Sequence, residues 1–170
     1  QGHLFLKNYW TLLMDRLDIE PYHSKYQSDF EILNREWIEE YFKMEQEDLN
    51  ILQNPEEYVI KKGGEVFFAL LDGRVVGTAA MVLTETGVYE LAKMAVNKKY
   101  QRMGIGRSLI QRSIKLALDE NAKEIFLITN DALKPALNLY LSSGFVLCPQ
   151  NDDNRYERGN TKMNLILGEK

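Results

Sequence analysis

The hydrophobic and polar positions of the chain divide it into short strands and amphipathic helices. Apolar runs over residues 65–71 and 74–83 flank Asp72-Gly73, a dipeptide typical of a two-residue hairpin. The mostly apolar run 89–96 predicts a third strand, covered on both faces. Apolar residues then recur at helical spacing over residues 105–118, which predicts a helix with one buried face.

The same patterns predict elements on both sides of this central stretch. A strand over residues 17–23, a helix beginning near Ser28 and a second helix over 45–53 precede the hairpin. The later segments predict strand 124–129, helix 133–142 and strands 145–148 and 162–167. The order β-α-α-β-β-β-α-β-α-β-β predicts a mixed sheet that is parallel only where the long helix crosses over to the strand that follows it.

The composition of the 170-residue chain is that of one globular domain, with 45% hydrophobic and 27% charged residues. A net charge of −4 argues against bulk nucleic-acid binding, so we expect no nucleic-acid partner. The single cysteine, Cys148, cannot form an internal disulfide, and two histidines leave no metal-ligand spacing, so we predict no metal. A cytoplasmic location without membrane attachment is the default expectation.

The first thirteen residues are predicted to be a tag remnant and a leader, and residues 14–170 a single domain. Gln1-Gly2-His3 resembles the remainder of a purification-tag linker. Residues 4–13 are apolar and aromatic, but they are too few to span a bilayer and are interrupted by Lys7 and Asn8. They form either a leader packed on the domain or on a partner chain, or sequence upstream of a start at Met14, which we favour.

Two glycines, Gly104 and Gly106, fall where a polar stretch meets the N-terminus of the long helix. A helix start carries free backbone N–H groups and the positive end of the helix dipole, so a phosphate could rest here without meeting a Cβ. The pair alone has a second interpretation, because glycines before helices are more often simple turn residues. Neither GxxxxGK[ST] nor GxGxxG is present, since Leu109 occupies the third glycine position.

The residues around this turn carry a more specific signature. Residues 101–106, QRMGIG, fit the pattern Q/R-x-x-G-x-G/A and follow the strand sequence ELAKMAV. Further motifs downstream are LITN at 127–130, PALNLY at 135–140 and Gly144-Phe145. In these motifs the chain resembles the GCN5-related N-acetyltransferase (GNAT) family, over about residues 89–146. The resemblance implies an α/β (α+β) GNAT fold with a central, mixed, mostly antiparallel sheet of about seven strands flanked by four helices.

The resemblance also implies acetyl-CoA as the cosubstrate. Its diphosphate would rest on the backbone N–H groups of residues 103–107, and its pantetheine arm would pair with Met94 and Val96 like an added strand. A bulge in the central strand, expected at Ala92-Lys93-Met94, would leave those backbone groups unpaired. The residues expected to bind acetyl-CoA are Met94, Ala95, Val96, Gln101, Arg102, Met103, Gly104, Ile105, Gly106, Arg107, Ser108 and Asn130.

Two residues are candidates for proton transfer. By resemblance, Tyr140 donates a proton to the departing thiolate; the alternative is that it packs among the leucines of its helix. Glu90, on the central strand, would accept the proton of the substrate ammonium, although a single glutamate in a strand is more often outward-facing and solvated. Leu133 departs from the asparagine that many relatives have seven residues before the tyrosine, and Asn130 would serve in its place.

These inferences predict an N-acetyltransferase that acts directly on a primary amine of a small molecule, or of a peptide or protein. The alternatives are a non-catalytic acyl-CoA-binding module of the same fold and a nucleotide-binding or nucleic-acid module, which the net negative charge disfavours. The polar loop 150–160 would rim the acceptor site, and its carboxylates, among them Asp152 and Asp153, would suit a cationic amine. A homodimer is also an open alternative. The residues expected to wall the acceptor site are Trp37, Tyr41, Phe42 and Met44.

Overall fold

A computed structural model describes residues 8–9, 11–149, 152 and 154–168 of the chain. Residues 1–7 and Trp10, which belong to the predicted tag remnant and leader, therefore lie outside the described residues. Leu13 is half-buried and packs against the core of the domain. The boundary at Met14 stays a prediction.

Seven strands form one sheet in the order β1-β2-β3-β4-β5-β7-β6. The strands are β1 (Leu17–Glu20), β2 (Glu65–Leu71), β3 (Arg74–Glu85), β4 (Val88–Val96), β5 (Glu124–Thr129), β6 (Val146–Leu147) and β7 (Thr161–Ile166). The longest helices of the described chain flank this sheet: α1 (Gln27–Tyr41), α2 (Gln46–Gln53), α3 (Ile105–Asp119) and α4 (Lys134–Ser142). None of the described helices is long and apolar enough to cross a membrane.

The sheet pairing confirms the predicted fold class. All neighbouring strands are antiparallel except β4 and β5, which the crossover helix α3 connects. Between β2 and β3, Asp72 and Gly73 both have positive φ, of 51° and 78°, as a type I′ hairpin requires. The predicted hairpin is therefore confirmed.

Strands β1 and β6 are shorter in the structure than the sequence predicted. The strand predicted over residues 17–23 ends at Glu20, because Pro21 has no N–H to donate to β2. The strand predicted over 145–148 is reduced to Val146 and Leu147, the two residues that pair with β7. Phe145, which precedes them, is fully buried in the core instead.

The central strand β4 carries the predicted bulge. Ala92 lies opposite Ala80 and Ala95 opposite Thr78, so β4 has one residue more than β3 over this stretch. Lys93 takes up the extra length with a φ of 50°. On its other side, β4 pairs with β5 only from Val88 to Glu90, so beyond Glu90 the two strands diverge.

The bulge reverses the alternation of side chains along β4, so that residues on either side of it point to different faces of the sheet than a regular strand would give. Before it, Glu90 lies opposite Val82, which packs on the α1–α2 side of the sheet. Lys93 also faces that side, because its ammonium contacts Asp48 on α2. Beyond the bulge, Met94 and Val96 pack on the α3 side. One strand therefore presents charged groups to one layer and backbone with apolar side chains to the other.

Candidate active site

A cavity of about 620 Å³ opens where β4 and β5 diverge. Its wall is formed by both of these strands, the start of α3, α4, the C-terminal end of α1 and the loop before β7. We call residues 94–96 and 104–107 the turn half of the cavity. We call the loop half the set Glu90, Lys93, Tyr156 and Arg158, which also line the cavity.

The turn half is built around the first turn of α3. Gly104 caps the helix in the left-handed conformation, with a φ of 87°, and its carbonyl accepts the Ser108 N–H at 3.0 Å. The N–H groups of the first helical turn have no acceptor within the helix, and they lie at the positive end of its dipole. An anion is the ligand that such a turn favours.

Gly106 has a different structural role from Gly104. A Cβ at Gly106 would lie 3.0 Å from Leu139 Cδ2, so the glycine allows α3 to approach α4 closely. Arg107 ties the same two helices together, because its Nη2 donates to Ser142 Oγ at 2.9 Å. Gly104 thus provides a left-handed helix cap, and Gly106, two residues later, allows a close contact between helices.

The loop half is organised by a buried carboxylate that lies behind its wall. Asp48 on α2 is 0% exposed, and its Oδ1 accepts from Lys93 Nζ at 2.6 Å. Arg158 donates to both oxygens of the same carboxylate, and its Nη1 also donates to Glu45 Oε2 at 3.1 Å. One aspartate therefore holds a strand residue and a loop residue against α2.

These contacts set the charge states of the cluster. Burial by itself would raise the pKa of the Asp48 carboxyl, but the hydrogen bond from Arg158 and the charge of Lys93 outweigh it and hold the pKa below its ordinary value. Burial lowers the pKa of the Lys93 ammonium, and the charge of Asp48 opposes this effect. Asp48 thus stays ionised at neutral pH, because two cations share it.

Tyr156 lies between the cations of the loop half. Its hydroxyl accepts a hydrogen bond from Lys93 Nζ at 3.2 Å, and the same ammonium lies 4.5 Å from the centre of the ring. The Arg158 guanidinium lies 4.7 Å from that centre, as expected for a cation–π contact. Burial, followed by the charges of Glu90 and Asp48, raises the pKa of the Tyr156 phenol.

Tyr140 is half-buried on α4 and lines the cavity. Its ring packs edge-on against Phe145, with centroids 6.1 Å apart. Burial raises the pKa of the phenol from 10.0 to about 12, so the hydroxyl keeps its proton throughout the neutral range. The ring of Tyr140 therefore packs against the core, as the packing interpretation predicts. The residue also lines the cavity, as a role in proton donation requires.

Glu90 is 3% exposed and lines the same cavity. Arg155 pairs with both of its oxygens, with a distance of 3.2 Å between Nη1 and Oε1. The alternative that this glutamate is outward-facing and solvated is therefore wrong. Among the described residues that line the cavity, Glu90 is the one carboxylate.

A comparison with protein families bears on these features. A family model described as the acetyltransferase (GNAT) family matches residues 26–145, which is more than half of the chain. The chain belongs to the GNAT family. The predicted resemblance is confirmed.

Individual GNAT relatives match smaller parts of the chain. The N-acetylaspartate synthetase of Rattus norvegicus is 36% identical over 92 residues, which cover 53% of this chain and 31% of the relative. An N-alpha-acetyltransferase of Sulfurisphaera tokodaii is 35% identical and covers 57% of this chain and 70% of the relative. The chain spans about a third of the length of the N-acetylaspartate synthetases that it matches.

Solved GNAT structures resemble the chain over most of its length. A GNAT acetyltransferase of Staphylococcus aureus Mu50 superposes with a TM-score of 0.82 at 23% identity, covering 89% of this chain and 99% of the other. YncA of Salmonella typhimurium, solved with acetyl-CoA, superposes with a TM-score of 0.75 at 18% identity, covering 91% and 96%. At these identities the superpositions show a shared fold.

Most residues predicted to bind acetyl-CoA line the one cavity. Met103 and Ser108 do not: Met103 packs against the core, and Ser108 Oγ donates to the Gly104 carbonyl at 3.1 Å. The predicted residues that do line the cavity are Met94, Ala95, Val96, Gln101, Arg102, Gly104, Ile105, Gly106, Arg107 and Asn130.

Asn130 lines the cavity at the end of β5, but its side chain is engaged with the protein. Its Nδ2 donates to the Arg158 carbonyl at 2.8 Å, and its Oδ1 accepts the Ala132 N–H at 2.9 Å. The first bond joins the end of β5 to the loop before β7, and the second fixes the turn that follows β5. The structure thus places Asn130 as a support for the loop as well as on the cavity wall.

On the acceptor side, the structure changes the predicted contribution of the polar loop. Asp152 is exposed, and Asp153 lies outside the described residues. Within the described part of the loop, Tyr156, Arg158 and Gly159 line the cavity, so the loop contributes a phenol and a cation to the wall where we predicted carboxylates. Of the predicted acceptor wall, Trp37, Tyr41 and Phe42 line the cavity and Met44 does not.

Sequence reasoning missed the cluster of Asp48, Lys93 and Arg158. One signal was available, because a lysine inside the apolar sequence ELAKMAV either leaves the sheet or needs a buried carboxylate. The partner could not be identified, since Asp48 lies 45 residues away in a helix. Its own local pattern indicates only a capping box with Glu45.

Proposed function

We propose that the protein is an acetyl-CoA-dependent N-acetyltransferase that moves an acetyl group directly to a primary amine of a small molecule, or of a peptide or protein. One observation carries the proposal: beyond Glu90, β4 separates from β5, and the free edge of β4 lines the same cavity as the first turn of α3. The first feature offers backbone hydrogen bonds and the second offers an anion site. Membership of the GNAT family supports the same chemistry.

The turn half fits the two polar parts of acetyl-CoA. The first turn of α3, with Gly104 in the left-handed conformation, would hold the diphosphate on backbone N–H groups. The backbone of Met94 and Val96 lies on the edge of β4 that no longer pairs with β5, and it would hold the amide groups of the pantetheine arm. The Val96 carbonyl already accepts from Gln101 Nε2 at 3.3 Å, so Gln101 would have to yield that acceptor. Acetyl-CoA supplies an activated acyl carbon and a thiolate leaving group.

Acetyl transfer forms a bond between the amine nitrogen and the acyl carbon and breaks the bond from that carbon to sulfur. An acceptor that arrives as an ammonium loses two protons from nitrogen, one before attack to give the neutral amine and one after the new bond has formed. The sulfur gains one proton, and the other is released to water. Glu90 is the carboxylate on the cavity wall and would accept the proton of the ammonium, directly or through water. Tyr140 would donate a hydrogen bond to the sulfur, a role that suits a phenol whose pKa is about 12.

The curated relatives support N-acetylation and differ in the reaction that their names give. One group consists of N-acetylaspartate synthetases and the other of N-alpha-acetyltransferases. Both names describe the acetylation of a nitrogen. The proposal therefore includes a small-molecule amine and a peptide amine as acceptors.

A calorimetric titration with acetyl-CoA, followed by an assay of CoA thiol release, tests the proposal. We expect binding in the range usual for enzyme substrates, about 1 μM to 1 mM, and no competition from ATP. Thiol release should then require an added amine. Binding without release for any amine would favour the non-catalytic module, and failure to bind acetyl-CoA would refute the proposed function.

A further inference from the structure

The loop half of the cavity is electrically polarised. Lys93 and Arg158 line the cavity, whereas the carboxylate that neutralises them, Asp48, is fully buried and lies behind the wall. Glu45, the second carboxylate that contacts Arg158, is not among the lining residues either. Two cationic residues therefore line the cavity while their shared carboxylate does not; the Lys93 side chain is 4% exposed and that of Arg158 12%.

The β4 bulge creates this arrangement. Without the extra residue, the side chains of positions 90 and 93 would point to opposite faces of the sheet, because strand side chains alternate. With it, Lys93 faces the same side as Glu90. Glu90 and Lys93 thus line one cavity, with the carboxylate before the bulge and the ammonium within it.

A structural role alone accounts poorly for Lys93. Burying an ammonium has a large desolvation cost, and an apolar side chain at such a position is often as stable or more stable. An ammonium has three protons to donate. Within the described residues, Lys93 Nζ donates to Asp48 Oδ1 and to the Tyr156 hydroxyl. A carboxylate in the cavity is the ligand that a third proton and the nearby Arg158 guanidinium would bind.

We infer that the acceptor is a free amino acid, with its amine towards Glu90 and its carboxylate towards Lys93 and Arg158. This inference rests on the proposed function and narrows its substrate class. A peptide N-terminus carries a neutral amide where the carboxylate would lie. A diamine would bring a second cation against Lys93 and Arg158, and like charges at close range repel.

The first test compares acceptors on the unchanged protein. Aspartate, glutamate and a neutral amino acid are each compared with the matching α-carboxamide, and putrescine serves as the diamine. The carboxamides have the lower amine pKa and so more free amine at neutral pH, which means that intrinsic reactivity opposes the expected result. We expect kcat/KM to be about tenfold or more higher for the free acids, as the loss of one charge-assisted hydrogen bond implies.

The second test asks whether Lys93 is responsible for the preference. Lys93→Met replaces the aliphatic stem of the lysine, removes only the ammonium and leaves Asp48 paired with Arg158. We expect KM for the preferred amino acid to rise about tenfold, and KM for its carboxamide to change less than about twofold. Lys115→Met, at an exposed ion pair with Asp119 on α3, is the matched control and should change neither value.

Three results separate this inference from the proposed function. If acetyl-CoA binds and the carboxamides or putrescine react as fast as the free acids, the inference is wrong and the proposed function stands. If acetyl-CoA does not bind, both are wrong. An equal rise in KM for acid and carboxamide in Lys93→Met, with an unchanged melting temperature, would also refute the inference. Should Lys93→Met not fold, the acceptor comparison on the unchanged protein decides alone.

Discussion

The two halves of the cavity are built in different ways. The turn half consists of backbone from two short runs of sequence, residues 94–96 and 104–107, with one glycine in the left-handed conformation and one where a side chain would collide with α4. The loop half consists of side chains from distant segments. Two of its ion pairs, Lys93 with Asp48 and Arg158 with Asp48, join residues that are 45 and 110 positions apart in the sequence. A surface made of backbone depends little on which side chains occupy it, whereas a surface made of charged side chains changes with each of them.

This difference suggests a division of labour. All members of an acetyl-CoA-dependent family need the same cosubstrate, and a backbone site serves that need with few constraints on sequence. The acceptor differs from one enzyme to another, and a site made of interchangeable side chains can adapt to it. The following variants test the two halves separately, after Tyr140, which lines the same cavity and belongs to neither half.

Tyr140→Phe should give the largest effect, because the phenol would assist the chemical step itself, whichever acceptor is bound. We expect kcat to fall about 10²- to 10⁴-fold, as is typical for the loss of a general acid, while acetyl-CoA binding changes less than about twofold. Steady-state kinetics and calorimetry measure the two quantities. Tyr58→Phe, at an exposed tyrosine outside the cavity lining, is the control. A kcat close to that of the unchanged protein would leave Tyr140 as a packing residue.

Asp48→Ala should break the loop half. The substitution leaves Lys93 and Arg158 without their shared carboxylate, so we expect the free energy of unfolding in urea to fall by about 3–5 kcal/mol. Asp119→Ala removes the partner of Lys115 on the exposed face of α3 and should have little effect, because surface ion pairs contribute little to stability. Equal losses for the two variants would mean that the buried cluster does not support the fold.

Gly106→Ala should weaken the turn half alone. The new Cβ would lie 3.0 Å from Leu139 Cδ2, so this side chain, or α4 with it, has to move by a few tenths of an ångström. Overpacking of this kind costs about 1–3 kcal/mol of folding stability. We expect the Kd for acetyl-CoA to rise by up to about tenfold, which corresponds to about 1.4 kcal/mol of this strain being relieved by a shift of the turn. Gly168→Ala meets nothing within 4 Å and is the control. The double variant Gly106→Ala, Leu139→Ala should recover part of the affinity; no recovery would contradict the steric explanation.

The smallest effect concerns pH. Burial raises the pKa of Tyr140 from 10.0 to about 12, so the folded protein holds the phenol proton more tightly than the unfolded chain. The stability that follows is complete below pH 10.0 and is lost as the pH rises towards about 12. Melting temperatures at about pH 9 and about pH 11 should therefore differ less for Tyr140→Phe than for the unchanged protein. Identical differences would argue against a raised pKa.

Local signals in the sequence predicted most of the strands and helices. Strands 65–71 and 124–129 were predicted with the bounds that the structure gives, because their apolar runs lie within the elements themselves. The bulge at residues 92–94, which the resemblance to the GNAT family implied, was also placed correctly. The strand predicted over residues 17–23 was too long, although Pro21, which ends β1, is a local signal. The end of β6 was wrong because it depends on pairing with β7, which no local pattern records.

Apart from Glu90, the loop half was not predicted, because its contacts are distant in sequence. Lys93 and Arg158 read locally as a strand residue and as part of a solvated loop. Only the fold brings both to Asp48, which itself reads as a capping residue of α2. For the same reason, the predicted acidic rim was replaced by a wall that contains Tyr156 and Arg158.

The short parallel pairing between β4 and β5 has a consequence for the stability of the protein. Three residue pairs join these strands, and beyond them the sheet has an internal edge that a ligand with amide groups can fill. On the proposed function, acetyl-CoA completes the sheet, so folding and cosubstrate binding are linked. At a concentration one hundred times its Kd, such a ligand adds about 2.7 kcal/mol to the stability of the fold. The supply of acetyl donor in the cell would thereby help to set how long each copy of the protein survives.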